Sequence, residues 1–312
     1  MLIPFQRELQ QAQRIFLMGA GGGFDIYSGI PLYLALKEAG KEVILGNYAF
    51  SFLHHMICEE ICPHAYRVTS QSKEQGYFPE RTLAEWLRDR GEKDEVIAFQ
   101  GTGVIPMKVA MRHIVQTYQI DTLILVDGGT DSLMIGNEAG LGTPIEDMAS
   151  IVAGVGLPLE RKYLASIGFG IDHFHQVAHA QVLESIAEQM AEGGFKGVLG
   201  FPPSESAVQG FLDLVTRSNE THKNHMSIVA NSIADAFRGA YGDVHATPRT
   251  AGSRLYINPL MTLYWTFDLE HVADRLLYKD WIARTMTKEQ VLAQIASFRQ
   301  AITPKGWEDI PL

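Results

Sequence analysis

Six short apolar runs, each meeting glycine at or just past its end, punctuate residues 1–202: RIFLMGAGGGFD (14–25), VILGN (43–47), VIAFQGTG (96–103), TLILVDGGTD (122–131), YLASIGFGID (163–172) and KGVLGFPPS (196–204). Runs this short and this rich in β-branched residues read as buried strands. Between them lie longer segments with apolar residues at helical spacing, such as IYSGIPLYLALKEAG (26–40) and VIPMKVAMRHIVQTY (104–118). Strand, helix and strand in close succession make a βαβ unit, which needs parallel pairing and a crossover. Repeated along the chain, the alternation predicts a Rossmann-like three-layer αβα sandwich with a mostly parallel sheet.

The remainder, 203–312, departs from that rhythm. It predicts helices over 204–217 and 222–238. SRLYINPLMTLYWTFD (253–268) is rich in β-formers but carries Pro259, so it is placed as a strand near the sheet edge. Closing helices are expected over 269–284 and from a Thr287/Gln290 capping box to about 301. With no linker or repeat, 1–312 reads as a single α/β domain, with a core over 1–202 and a helical elaboration with an added edge strand over 203–312.

Local signals add detail. AFSFLHHMICEEI (49–61) reads as a helix. Thr82 and Glu85 form a capping box for TLAEWLRDR, and Thr143, Pro144 and Glu146 another for a helix to about Gly156. Asp172 is placed as the N-cap of the helix HFHQVAHAQVLESIAEQMAEGG, on which His175 and His179 share a face.

Charge and length narrow the function. The formal net charge is -10, with no basic run, which argues against nucleic acid and against an anionic membrane surface as partner. The chain lacks the roughly 18 uninterrupted apolar residues of a membrane span, and its start does not read as a secretory signal. Cys58 and Cys62 are expected as reduced thiols. The chain thus reads as a cytoplasmic protein, with a homo-oligomer left open.

In open α/β sheets ligands bind beyond the carboxyl ends of the strands, where the glycines fall. There Gly21, Gly22 and Gly23 are expected to cradle an anion with backbone N–H groups, Thr102 to help position it, and Asp25 to bond a ligand hydroxyl or cap the next helix. Asn47 stands where a nicotinamide enzyme usually carries an acid for the ribose, so NAD-dependent hydride transfer is disfavoured. VDGGTDSLMIGNEAGLGTPIED (126–147) is the acidic loop. Glu146 and Asp147 are assigned to the helix end. Asp127, Asp131 and Glu138 are candidate ligands for magnesium or another divalent cation. A metal-free alternative has Gly128, Gly129 and Thr130 facing the substrate, with Asp131 on an amine or hydroxyls. His173, beyond the next strand, is the candidate proton carrier. Arg249 and Arg254 are candidates to hold an anion.

Two segments, MGAGGGFDIYSGIPLYLALKEAGKEVILGN and VDGGTDSLMIGNEAGLGTPIEDM, together resemble a prokaryotic family catalogued as domain of unknown function 1152. The match rests on Asp127, Gly128, Gly129, Asp131, Gly136 and Glu138, with Thr130 departing from the small or acidic residue expected there. The resemblance implies the fold and the importance of the loop, and no activity. The residues themselves point to an enzyme of hydrolysis or group transfer, catalysed by Asp131 and His173, on a nucleotide or another small phosphorylated or carboxylated metabolite. The alternative is a sensor of the same fold that binds such a ligand without turning it over.

Overall fold

The computed structural model describes residues 2–73, 76–253 and 255–310. In chain order the strands are β1 (Arg14–Gly19), β2 (Glu42–Ala49), β3 (Glu59–Cys62), β4 (Ala65–Thr69), β5 (Glu95–Gln100), β6 (Thr122–Gly128), β7 (Arg161–Ile167), β8 (Phe195–Gly200), β9 (Gly242–Asp243), β10 (Tyr256–Ile257) and β11 (Leu263–Asp268). Nine of them form one sheet in the order β3-β4-β5-β2-β1-β6-β7-β11-β8, and β9 and β10 form a separate short ribbon. From β5 through β7 every pair is parallel. The hairpin β3–β4 adds to β5 antiparallel, and β11 is antiparallel to both its neighbours.

Each central strand is apolar on both faces, as a sheet covered by helices on both sides requires. Phe16 and Met18 of β1 and Leu123 and Leu125 of β6 join one core, with the helices Val104–Thr117, Pro144–Val155 and Lys288–Ala301. Their alternating partners Ile15, Leu17, Ile124 and Val126 join a second core, with the helices Ile30–Glu38, Pro79–Asp89 and Ser206–Thr221. The period of two along each strand divides the residues between the two cores. The fold is the α/β sandwich expected.

Several local expectations are corrected. Residues 49–61 form no long helix: a 3-10 turn at Leu53–His55 leads into β3. Pro63 and His64 follow, and His64 takes a left-handed φ of 70°, so the chain reverses and β3 pairs with β4. Gly46 and Asn47 lie within β2, which runs on to Ala49. Thr82 lies inside a helix that already starts at Pro79, because proline suits the first turn. β11 is inserted between β7 and β8 rather than at the edge, since Pro259 falls in a 3-10 turn ahead of it and takes no place in the ladder. The helix expected over 269–284 is two shorter ones, Leu269–Arg275 and Lys279–Ile282. The helix expected from residue 173 begins at His179, because Gln176 adopts a left-handed φ of 68° and ends a preceding 3-10 turn.

The C-terminal elaboration is fastened to the loops at the carboxyl edge of the sheet. Gly103 N–H donates to the Met286 carbonyl and Val104 N–H to Thr285 Oγ1, at 3.3 and 3.1 Å. Arg299 donates to the carbonyls of Gly136, Glu138 and Ala139. Gly103 permits the first contact: a Cβ there would stand 2.6 Å from the Thr285 carbonyl carbon and oxygen. Backbone cannot yield as a side-chain tip can, so Gly103→Ala is expected to destabilise the protein by about 1–3 kcal/mol in urea unfolding. Gly306→Ala, which meets nothing within 4 Å, is expected to change stability by less than about 0.5 kcal/mol.

Candidate active site

The chain leaves β1 toward β2 on one side and returns to β6 on the other. The strand order therefore reverses between β1 and β6, which is where an open α/β sheet places its ligand. A cavity of about 770 Å³ opens there, within the range of small-molecule sites.

Its floor is built of carboxylates. Asp25 follows the glycine turn after β1 and accepts Gly21 N–H at 2.7 Å. Asp127, the penultimate residue of β6, accepts Ser132 Oγ–H, and Ser132 in turn meets Ser166 Oγ of β7 at 3.1 Å. Asp147 projects from the first turns of the helix Pro144–Val155. One oxygen from each of these three lies within 4.8 Å of the others. Asp131 and Asp172 border the same cavity. Asp131 accepts Thr143 N–H at 2.8 Å, and Asp172 accepts Thr130 N–H at 2.6 Å. Asp147 differs from the rest: it is 2% exposed, lines the cavity, and its Oδ1 has no hydrogen-bond partner.

Burial pushes the carboxyls of all five upward, because a low-dielectric surrounding penalises the charged form. Asp25 is pushed up to about 8, by burial and then by Asp131 and Asp172, with Gly21 N–H opposing. Asp127, Asp147 and Asp172 stand well above the usual carboxylate range, by burial first and by Asp131 next. Asp131 is also raised by burial, with Thr143 N–H and the nearby His175 favouring its charged form. No described Lys, Arg or His forms an ion pair with any of the five. Such a cluster retains negative charge only at high cost unless a cation joins it.

A divalent cation fits. Oxygen ligands at about 2.1–2.5 Å from one ion lie roughly 3–5 Å apart, which matches the spread of Asp25, Asp127 and Asp147. Gly21 leaves the room: a Cβ there would stand 2.5 Å from Asp25 Oδ2 and 2.7 Å from Asp147 Oδ1.

The sequence-predicted residues divide sharply. Gly21, Gly22, Asp25, Asp127, Gly128, Asp131 and Arg249 border the cavity. The glycine turn is not a free anion cradle, however, since Gly21 N–H is given to Asp25 and Gly23 N–H to the Tyr48 carbonyl. Asn47 is buried and donates to the Gly23 carbonyl and to Glu80. Thr102 donates its hydroxyl to the Met286 carbonyl. Gly129 and Thr130 stand behind the floor: Thr130 supports Asp172, and a Cβ on Gly129 would meet Asp172 Oδ2 at 2.8 Å. Glu138 is turned away from the acidic floor, and its two oxygens accept N–H from Ile135 and Gly136 at 2.8 Å each. His173 stacks on His179 and meets the edge of Trp307, while His175, two residues on, faces the cavity. Arg254 lies outside the described residues.

Three residues given structural or minor roles from sequence belong to the site: Asp147, Asp172 and His175. Asp172 caps no helix and instead holds the β6 turn through Thr130. The box expected at Thr143 and Glu146 does not form: Thr143 donates to Asp131, and Glu146 pairs with Lys288. The signal for Asp147 is helical spacing. Asp147, Ser150 and Ile151 share one face, all are buried, and Ser150 Oγ donates to the Ala20 carbonyl in the glycine turn.

No curated protein and no solved structure shows significant similarity to the chain. A family model described as protein of unknown function (DUF1152) matches residues 16–300, from β1 into the last helix. The match takes in every carboxylate of the cavity floor, and the chain belongs to this family.

Proposed function

We propose that the protein is a divalent-cation-dependent enzyme that carries out hydrolysis or group transfer on a small phosphorylated or carboxylated metabolite, nucleotides included. One observation carries the reading: Asp25, Asp127 and Asp147 bring three carboxylate oxygens together at the point where strand order reverses, one of them buried and without a partner. Asp25, Asp127 and Asp147 would hold the cation, which when bound neutralises the floor and polarises a phosphoryl or carbonyl oxygen.

The surrounding residues then have distinct tasks. Thr143 fixes the Asp131 carboxylate by two bonds, so it presents its remaining oxygen in a set direction to a water or hydroxyl. His175 lies near Asp131 and faces the cavity. An imidazole can both give and accept a proton, so His175 is placed to deliver a proton to a leaving group and take one from water. It replaces His173 in that role. Arg249, whose guanidinium also donates to the Met226 carbonyl, offers positive charge at the wall for the anionic part of the ligand. Asp172 holds the β6 turn in place. Hydride transfer with a nicotinamide cofactor stays disfavoured, because Asn47 is committed to Gly23 and Glu80.

Metal titration tests the foundation. Mn²⁺ is expected to bind the full chain by calorimetry, and Asp127→Asn or Asp147→Asn to weaken it by more than about tenfold. Without metal and at pH 8, Asp147→Asn is expected to raise stability by about 1 kcal/mol, since it removes a buried carboxyl whose ionisation burial and its acidic neighbours oppose. Unchanged Mn²⁺ affinity in both variants would remove these residues from the metal site. With Mn²⁺ and a panel of phosphate and carboxylate esters, turnover is expected to be lost in Asp131→Asn and to fall at least about 100-fold in His175→Gln. A ligand that binds and is never turned over would make the protein a sensor.

The raised carboxyls set the pH dependence. Each binds a proton more tightly folded than unfolded, so its stabilising contribution is complete below the ordinary value of 3.8 and is lost as pH rises through the folded value, about 8 for Asp25. In chelator, the melting temperature is therefore expected to fall as pH is raised from 5 toward 8. Mn²⁺ must displace those protons, so its affinity and its stabilising effect are expected to grow over the same window. A melting temperature in chelator that climbs toward pH 8 would contradict the site.

A further inference from the structure

The cavity is larger than a cation needs. Six waters at about 30 Å³ each occupy about 180 Å³, which leaves more than half of the roughly 770 Å³ for an organic body. The walls show its character. Beyond β2, Phe50 borders the cavity and yet is 49% exposed. Its position is held by the two glycines that the acidic floor does not use. A Cβ on Gly22 would stand 2.7 Å from Phe50 Cε1, and one on Gly23 would stand 3.0 Å from both Cδ2 and Cε2. Opposite edges of the ring thus lie against successive residues, so one ring face rests on the backbone. Gly22 and Gly23 also take φ of 92° and 60°, which glycine alone adopts without strain.

Lys288 Nζ lies over the Phe50 ring, 5.5 Å from its centre, so a stacked base shares that half-exposed face with an ammonium that also pairs with Glu146. Tyr77 continues the aromatic wall. A Cβ on Gly23 would meet its hydroxyl at 2.9 Å, and its ring lies 5.9 Å from that of His225, which also lines the cavity. Ile145, Leu292 and Ile295 also line the cavity. One end of the cavity is therefore acidic and suited to a cation, and its sides are flat, aromatic and apolar.

We propose that the substrate is a nucleoside phosphate whose base stacks on Phe50 while its phosphates reach the cation held by Asp25, Asp127 and Asp147. This rests on the cation-dependent reading of the same site and adds the chemical class of the ligand. A planar π system gains from an exposed ring face held flat by backbone, and bases of every kind have such a face. The phosphates supply the negative charge that a neutralised floor and Arg249 would accept.

The test uses the full chain with Mn²⁺ and a panel of ADP, GDP, CDP and UDP, against ribose 5-phosphate and pyrophosphate. At least one nucleotide is expected to bind about tenfold or more tightly than ribose 5-phosphate. Phe50→Ala and Phe50→Leu are both expected to abolish that preference, and Phe50→Trp to keep it, with Mn²⁺ affinity unchanged in all three. The leucine variant separates stacking from mere apolar area. The proposal is overturned if no nucleotide outbinds ribose 5-phosphate, or if the preference survives in the alanine and leucine variants. Failure of Mn²⁺ to bind at all overturns the cation reading instead. Stacking is then read from the four nucleosides alone, whose binding must still depend on Phe50.

Discussion

Mutual repulsion among buried carboxylates is the constraint around which this molecule is built. Asp25, Asp127, Asp131, Asp147 and Asp172 share one cavity floor, where burial first, and then neighbouring carboxylates such as Asp131, raise the cost of ionising them. A chain has no reason to gather such groups for stability. They stay together because each comes from an element fixed elsewhere: Asp25 from the turn after β1, Asp127 from the end of β6 itself, Asp147 from a helix with proline in its first turn, and Asp131 and Asp172 from short turns tied by Thr143 and Thr130. Strain of this kind, set in a rigid scaffold, is the ordinary signature of a site prepared for a partner of opposite charge.

The scaffold was legible because its signal is local. Apolar runs ending in glycine, separated by helical periods, need nothing from distant sequence to be recognised, and all six runs became strands of one sheet. What the pattern did not contain was pairing. β3 and β4 pair where a left-handed residue at His64 reverses the chain, and Phe52 and Met56, four residues apart, fit a helical spacing as well as a turn. β11 passes between β7 and β8 because Pro259 is spent in a turn before the strand starts. Both depend on partners far along the chain, which a local period does not specify.

The site divides in the same way. Asp25, Asp127 and Asp131 announce themselves by falling within two residues of glycine, at or just past strand ends. Asp147 and Asp172 were each absorbed by an adequate local explanation, a helix dipole and an N-cap. Asp147 was placed correctly in the first turns of its helix, but the direction of its side chain is set by which helix face the sheet covers. His175 lines the cavity and His173 does not, for a related reason. Counted along a continuous helix, residue 173 leads toward the strand ends. The left-handed Gln176 breaks that helix, and the 3-10 turn swings His173 under Trp307 and His175 toward the floor.

The departure of the C-terminal third from the alternating pattern now has a physical account. A parallel sheet alone offers a floor at its strand ends and little wall. Here Arg299 grips the carbonyls of the β6 loop, Thr285 and Met286 dock against Gly103, and Lys288 binds Glu146 beside Phe50. Each contact joins the elaboration to a loop of the carboxyl edge rather than to the far end of the sheet. Leu292 and Ile295 thereby line the same cavity as Phe50 and Tyr77. Excluding water on that side strengthens every electrostatic interaction on the floor, so a region with no acid of its own in the cluster helps set how strongly the five carboxylates feel one another.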